Sequence, residues 1–336
     1  MKYSLVDKKV LYVAPRFFGY ETEIKDELIR RGAEVDFLLD RPFDSPFLKA
    51  VTKLRRKWVI GAADRYYRTE LENLGSKDYD YIFVVSGQTL SCETLALWRE
   101  KFPQAEFLLY MWDSFANRQW AVDNLKYFHH KFSFDRIDSE KYGLHFRPLF
   151  FSPGFEAEQK KAPELDISFI GTAHSDRYSV VSKVDKILGG SLRKYWYLYL
   201  QAKWVFWVYL LINRTFRGAK LSDFRFDPLT KANVQEVFTS SKAILDIEHP
   251  KQTGLTMRTL ETLGARKKLV TTNQNVKFYD FYLPENICVI NRDSPSIPES
   301  FFQAPYKAVD PVIYQRYRLE GWLDEIFSLV KSSIKS

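Results

Sequence analysis

The sequence predicts an α/β protein built as two Rossmann-like domains in tandem. Three observations carry that reading. Strand-like and helix-like segments alternate, the pattern of a parallel sheet with helices on both faces. The alternation halts at a stretch punctuated by Pro148, Pro153, Gly154 and Pro163, residues 146–165, and then restarts. And 336 residues exceed one typical core and suit two domains of roughly 150 residues each.

The elements follow in order. KKVLYVAP is a β-branched and aromatic strand stopped by Pro15. After a loop with Gly19, ETEIKDELIRRG has helical periodicity and closes on Gly32. AEVDFLLD is a second strand and a basic helical stretch follows it. YDYIFVVSGQ is a buried strand ending at Gly87, SCETLALWREKFP a helix, AEFLLYMWDS a strand, SFANRQWAVDNL a helix and HKFSFD a short strand. Beyond the seam, LDISFIG is a strand and HSDRYSVVSKVDKILGG a helix ended by a glycine pair. SKAILDIE, KLVTT and ENICVINRD are further strands, with the helix GLTMRTLETLGARK after the first of them. The tail DPVIYQRYRLEGWLDEIFSLVKSSI is amphipathic and helical. The expected division is 1–152, 153–312, and a terminal helix over 313–336.

Composition narrows the classes. With 46% hydrophobic and 27% charged residues the chain is globular and not disordered. A net charge of +8 suggests an anionic partner such as a phosphate or an acidic lipid. Basic residues are dispersed, with one tight cluster at Lys53-Leu-Arg-Arg-Lys57 that reads as a solvated helix face. A localised basic stripe for nucleic acid is missing, so nucleic acid is not an expected partner. Cys92 and Cys288 lie far apart without metal spacing, as in a reduced, cytoplasmic chain. The N-terminus reads as a strand and not as a signal peptide.

The run WYLYLQAKWVFWVYLLINRTF, residues 196–216, is the most apolar segment. A membrane span would place Gln201 and Lys203 near mid-bilayer, at a cost of about 2.5–3.5 kcal/mol for the lysine. KYWYLYLQ reads better as a strand and AKWVFWVYLLINRTFRG as a helix ended by Gly218. Such a helix is aromatic around much of its circumference. With Lys203, Arg214, Arg217 and Lys220 nearby, its outer face suits an anionic membrane surface.

Ligands of open parallel sheets bind outside the carboxyl ends of the strands. In the first half those ends carry Gly19, Gly87, Gln88, Asp113 and Asp135; in the second, Gly171, Thr172, His174, then Asp246 to Gln252, and Thr271 to Asn273. The two sets would face each other across a cleft between stacked sheets. FIGTAHSDR offers a turn, a helix start and Arg177, which suit a phosphate; Gly171 equally suits a tight strand–helix turn. HPKQTGLTMRTLE places His249, Gln252, Thr253, Gly254, Thr256 and Arg258 about a helix start, with Glu261 placed to accept from a sugar diol. The plain alternative is an amphipathic helix with Leu255, Leu260 and Leu263 inward and Glu261 solvated. Asp113 and Asp135 are strand-end candidates, and Asp113 equally reads as an N-cap of SFANRQWAVDNL. The five His do not cluster. His129 and His130 adjoin, but neighbouring side chains diverge, and no metal site, Walker loop, GxSxG or HExxH motif is present.

QTGLTMRTLETLGARKKLVTTN and DFYLPENICVINRD resemble the carboxyl-half signature of GT-B glycosyltransferases of bacterial capsule and lipopolysaccharide biosynthesis, related to the CgeB-like spore-maturation proteins. VSGQTLSCETL, LLYMWDS, FSFDRIDSEKYGLHFRPLFF and DISFIGTAHSDR are similar to the same group. The resemblance implies two Rossmann-like domains across a cleft, with the terminal helix returning to the first. It implies a nucleotide-sugar donor and a glycan or lipid-linked glycan acceptor at a cell-surface polymer, on the inner face of the cytoplasmic membrane. It also implies no cofactor and no metal, because a helix dipole with Arg258 and Lys251 would neutralise the diphosphate. Glu261 aligns with the family's ribose-binding glutamate, while Thr253 stands where a first glutamate is usual. Gly171 and Thr172 match the diphosphate-facing loop, with Arg177 or Arg258 supplying charge. Asn273 lies at the neighbouring strand end. The resemblance further implies a general base if the anomeric centre inverts, with Asp113 the first choice and Asp135 the second. A nucleotide-sugar epimerase of the same fold and a non-catalytic basic protein are the competing readings.

Overall fold

The computed structural model describes residues 3–40, 56–156, 162–250 and 252–335. Lys53 to Arg55 of the basic cluster and Lys251 lie outside them, as do the side chains of Arg56 and Lys57. Two compact units emerge: Met1–Pro148 with Leu319–Ser336, and Leu149–Arg318.

In the first unit the chain forms β1 (Lys9–Ala14), α1 (Tyr20–Arg30), β2 (Glu34–Leu39), α2 (Arg56–Asn73), β3 (Tyr81–Val85), α3 (Cys92–Lys101), β4 (Glu106–Met111), β5 (His130–Ser133), α4 (Arg136–Tyr142) and β6 (His145–Phe146). The strands pair parallel in the order β2-β1-β3-β4-β5-β6. β3 is buried along its whole length and β4 at all but its first residue, because a sheet covered on both faces leaves no strand surface to water. Gly32, just beyond α1, takes φ +97°, and a Cβ there would meet Val6 Cγ2 at 2.7 Å, so the predicted helix stop rests on glycine itself. SFANRQWAVDNL forms a 3-10 helix over Gln119–Tyr127, shorter than the helix expected.

The second unit contains β7 (Leu165–Thr172), α5 (Arg177–Leu188), β8 (Lys194–Tyr199), α6 (Lys203–Ile212), β9 (Phe224–Arg225), α7 (Lys231–Ser240), β10 (Ser241–Asp246), α8 (Met257–Gly264), β11 (Lys268–Thr271), β12 (Ile287–Val289), α9 (Glu299–Gln303) and α10 (Pro311–Arg316). Its strands are parallel in the order β12-β11-β10-β7-β8-β9. One face packs Ile167, Phe169, Leu198, Phe206, Phe224 and Leu245. The other packs Ile170, Tyr197, Val234, Phe238 and Ile244.

The tail differs from the single helix expected. It breaks after α10, and α11 (Leu319–Lys335) belongs to the first unit. The break falls where Phe151 N donates to Tyr317 O at 2.9 Å and Arg318 pairs with Glu156, which holds 149–152 and 313–318 in the second unit. α11 is fixed on the first sheet by Trp322, 4.6 Å from Tyr110, and by Phe327 against Tyr81 and Phe83. Buried Arg31 adds bonds to Asp324 and to the Glu320 carbonyl.

α6 also ends earlier than expected. It stops at Ile212, Asn213 caps a 3-10 turn over Arg214–Phe216, and Gly218 turns the chain at φ +81°. Among the described residues no helix is long and apolar enough to cross a membrane.

Candidate functional site

The second sheet reverses its strand order between β7 and β10, and in such sheets the crevice outside the carboxyl ends at the reversal is the ligand position. Gly171 and Thr172 end β7 there. A Cβ on Gly171 would stand 2.9 Å from the Phe169 ring and 3.4 Å from Arg177 Nη1, so the glycine lets the guanidinium lie against the strand. Arg177 donates Nε to Ile247 O at 2.8 Å and Nη1 to Thr172 O at 3.2 Å. It staples the two strands where they part. Burial lowers its pKa, with Asp246 opposing and Arg258 reinforcing the shift. His174, hydrogen-bonded through Nδ1 to Ser175 Oγ at 2.9 Å, has its ring centroid 6.0 Å from that of His249.

The start of α8 is fixed by one buried carboxylate. Asp246 Oδ2 accepts from Thr256 Oγ1 at 2.8 Å and from Thr259 Oγ1 at 2.6 Å, while Thr256 Oγ1 caps the helix by accepting from Thr259 N. The preceding loop is tied by Gln252 Nε2 to Gly254 O and by Asn273 Nδ2 to the carbonyls of Thr253 and Gly254. Arg258 Nη1 reaches Glu261 Oε2 at 2.9 Å, and its guanidinium lies 5.0 Å over the Phe238 ring. Leu255, Leu260 and Leu263 are buried, as the amphipathic alternative has them, but Glu261 is 3% exposed and not solvated as that alternative requires.

A charged network beside this group was not assigned a role from sequence. Buried Glu248 bonds Thr272 and pairs with Arg292 at 2.5 Å, and Arg292 also pairs with Asp176 at 2.8 Å. Burial works against the Arg292 charge, but Glu248 and Asp176 outweigh it and its pKa is raised. The available signal was positional: Glu248 lies just past a strand end and Arg292 just past another, yet only folding shows that they meet.

The first sheet reverses between β1 and β3. Gly19, at φ +79°, is the N-cap of α1 beside β1. Ser86 and Gly87 after β3 are both left-handed, at φ +73° and +62°. Asp40 holds this turn, accepting from Gln88 N at 2.6 Å and from Thr89 N and Oγ1. Asp40 was not singled out from sequence. Asp113 accepts from Ser114 N and Asn117 Nδ2 and pairs with Arg118 at 2.9 Å. It is not an N-cap of the helix that follows, since Arg118 occupies that position. Asp135, 1% exposed, accepts from Ile137 N and Asp138 N and caps α4, a helix not foreseen. His129 and His130 both reach the Glu106 carboxylate at 3.1 Å, closer together than their adjacency suggested. Among the described residues no group of three His, Cys, Asp or Glu is arranged to hold a metal ion.

No family model and no curated protein matches the sequence. Solved structures do. A glycosyltransferase from Rickettsia africae aligns with a TM-score of 0.60 at 10% identity, over 98% of this chain and 99% of that one. Anabaena HepE, solved with UDP and glucose, aligns with a TM-score of 0.56 at 9% identity, over 97% and 100%. MnaA of S. aureus, solved with UDP, aligns with a TM-score of 0.54 at 11% identity, over 98% and 97%. At such identity the likeness is one of fold. The chain has two parallel α/β units of the GT-B type.

Proposed function

We propose that the chain is a glycosyltransferase that moves a sugar from a nucleotide-sugar donor to a growing cell-surface glycan. The observation that carries this reading is the Arg258–Glu261 pair on α8, beside the strand-order reversal of the second sheet. A carboxylate there suits the ribose hydroxyls, and the start of α8 with Arg258 suits the diphosphate. The two fold relatives solved with UDP support a nucleoside diphosphate as the ligand. In this reading the leaving diphosphate is neutralised by the helix start and by Arg258, with no metal required. Asp113 is the proposed base for an inverting transfer: it takes the proton of the acceptor hydroxyl as that oxygen attacks the anomeric carbon and the nucleoside diphosphate departs. Asp135 is less suited, because its carboxylate is buried and spent on the α4 cap. The capsule, O-antigen or lipopolysaccharide acceptor, the cytoplasmic location and the kinship with the CgeB-like group rest on the sequence motifs.

The test is a thermal-shift panel of UDP, GDP, ADP, TDP and CMP. A ligand at about 100 times its dissociation constant adds about 2.7 kcal/mol of stability. A melt unmoved by all five would overturn the reading. Interconversion of a nucleotide sugar with no acceptor present would replace transfer by epimerisation.

A further inference from the structure

The donor reading leaves one prominent surface unused, the outer face of α6. The chain leaves the sheet at Tyr199 and returns as β9 opposite Leu198 and Tyr199, so this whole excursion starts and ends at the carboxyl edge of the second sheet. Val205 and Phe206 are buried, with Phe206 against Phe224, and Tyr209 lies 5.1 Å from Phe216. The opposite stripe is bare. Trp204, Trp207, Val208, Leu211 and Ile212 recur at i, i+3, i+4, i+7 and i+8, and are 67%, 57%, 39%, 86% and 73% exposed.

Cations bracket the stripe. Lys203 begins the helix, and Arg214, Arg217 and Lys220 follow it, all exposed. Among the described residues none of the four has an ion-pair partner. The nearest acidic residue in sequence, Asp223, accepts from Lys220 N and the Tyr178 hydroxyl. The excursion is also joined to the candidate site: Asn213 Nδ2 and Thr215 Oγ1 both donate to Ser175 O, at 3.0 and 2.8 Å, in the loop carrying His174.

We infer that this face docks on an anionic membrane surface. The Trp, Leu and Ile side chains enter the boundary between headgroups and acyl chains, and Lys203, Arg214, Arg217 and Lys220 meet lipid phosphates. Tryptophan suits that boundary, having an apolar body and a polar N–H. The charge pattern favours a bilayer over a second copy of this chain, since two molecules of net charge +8 would bring like-charged rims together. The docking does not depend on the transferase reading.

The test is co-sedimentation of the full chain with phosphatidylcholine vesicles, with and without phosphatidylglycerol. Binding is expected to need the anionic lipid and to weaken with salt. Trp204→Ser with Trp207→Ser should lower partitioning about tenfold or more. Arg214→Ser with Arg217→Ser should lower it roughly fivefold per charge. Both variants should keep the wild-type melting temperature, since the altered side chains are exposed. The proposal is overturned if the wild type stays in the supernatant with phosphatidylglycerol vesicles, or if the tryptophan variant sediments as the wild type does. A dimer that those substitutions dissolve, with no vesicle binding, would assign the face to self-association instead. A nucleoside diphosphate shift retained by the variants would leave the donor reading standing either way.

Discussion

Glu261→Gln separates a donor-binding role from a structural one. The carboxylate is 3% exposed and 2.9 Å from Arg258 Nη1, whose side chain retains 20% exposure. The amide keeps the volume and still accepts from the guanidinium, so the change removes the charge while that hydrogen bond is retained. Breaking a fully buried pair costs about 3–5 kcal/mol, but the partly exposed arginine and the retained hydrogen bond reduce this to about 1–2 kcal/mol. For a unit of this size that is a fall in melting temperature of about 2–8 °C. Hydrogen bonds from a ribose diol contribute about 1.5–3 kcal/mol to a charged carboxylate and about 0.5–1.5 kcal/mol to a neutral amide, so the change removes about 1–1.5 kcal/mol and donor dissociation constants should rise about 5- to 13-fold. Calorimetric titration of the nucleoside diphosphate that shifts the melt, beside a circular-dichroism melt of the same variant, measures both. An unchanged dissociation constant with the expected melting loss would refute the ribose assignment and leave Glu261 as the counterion of Arg258. Glu261→Ala is the poorer choice, because it strands that guanidinium beside a cavity.

Three further outcomes follow from the packing. Gly264→Ala should destabilise the second unit by about 1–3 kcal/mol, read by chemical denaturation, because its Cβ would lie 2.6 Å from Phe151 Cδ2. Lys267 is buried, donates to Thr239 O at 2.7 Å, and has its pKa pushed down to about 8 by burial. Between about pH 8 and the unfolded value near 10.5 the unfolded chain binds more protons, so this group should make stability rise with pH across that window. Lys267→Met should flatten that rise in pH-dependent melts. Asp40→Asn should cost about 1–3 kcal/mol in an equilibrium unfolding titration, since an amide oxygen replaces a carboxylate that accepts from Gln88 N and Thr89 N.

Much of the site's neighbourhood was legible in the sequence, since strand ends follow from apolar runs. KVLYVA, YIFVV and EFLLYM are almost wholly buried, and a strand covered on both faces has to be apolar throughout. Helix stops were less legible. α6 was expected to run to Gly218, but its apolar composition continues past Ile212 while the chain turns to let Asn213 and Thr215 reach Ser175. α7 was missed although Thr230 caps it and Val234 and Phe238 form its inner face. That signal was present and weak, because a ten-residue helix offers few turns of periodicity.

The sequence alone determined the α/β class, the two-fold repeat of the strand–helix alternation, and the strand ends that carry Gly171, Asp246 and Asn273. Those follow from local patterns of apolar residues and turn formers, which act over a few neighbours. Only the tertiary structure decided that Arg177 is a staple between β7 and β10, that Glu261 is a buried partner of Arg258, and that Glu248, Arg292 and Asp176 form one network. It also decided that the aromatic segment keeps one stripe of α6 in water. Each of these depends on which distant residue arrives opposite a side chain. Strand order decides that, and the sequence does not encode strand order in any local pattern.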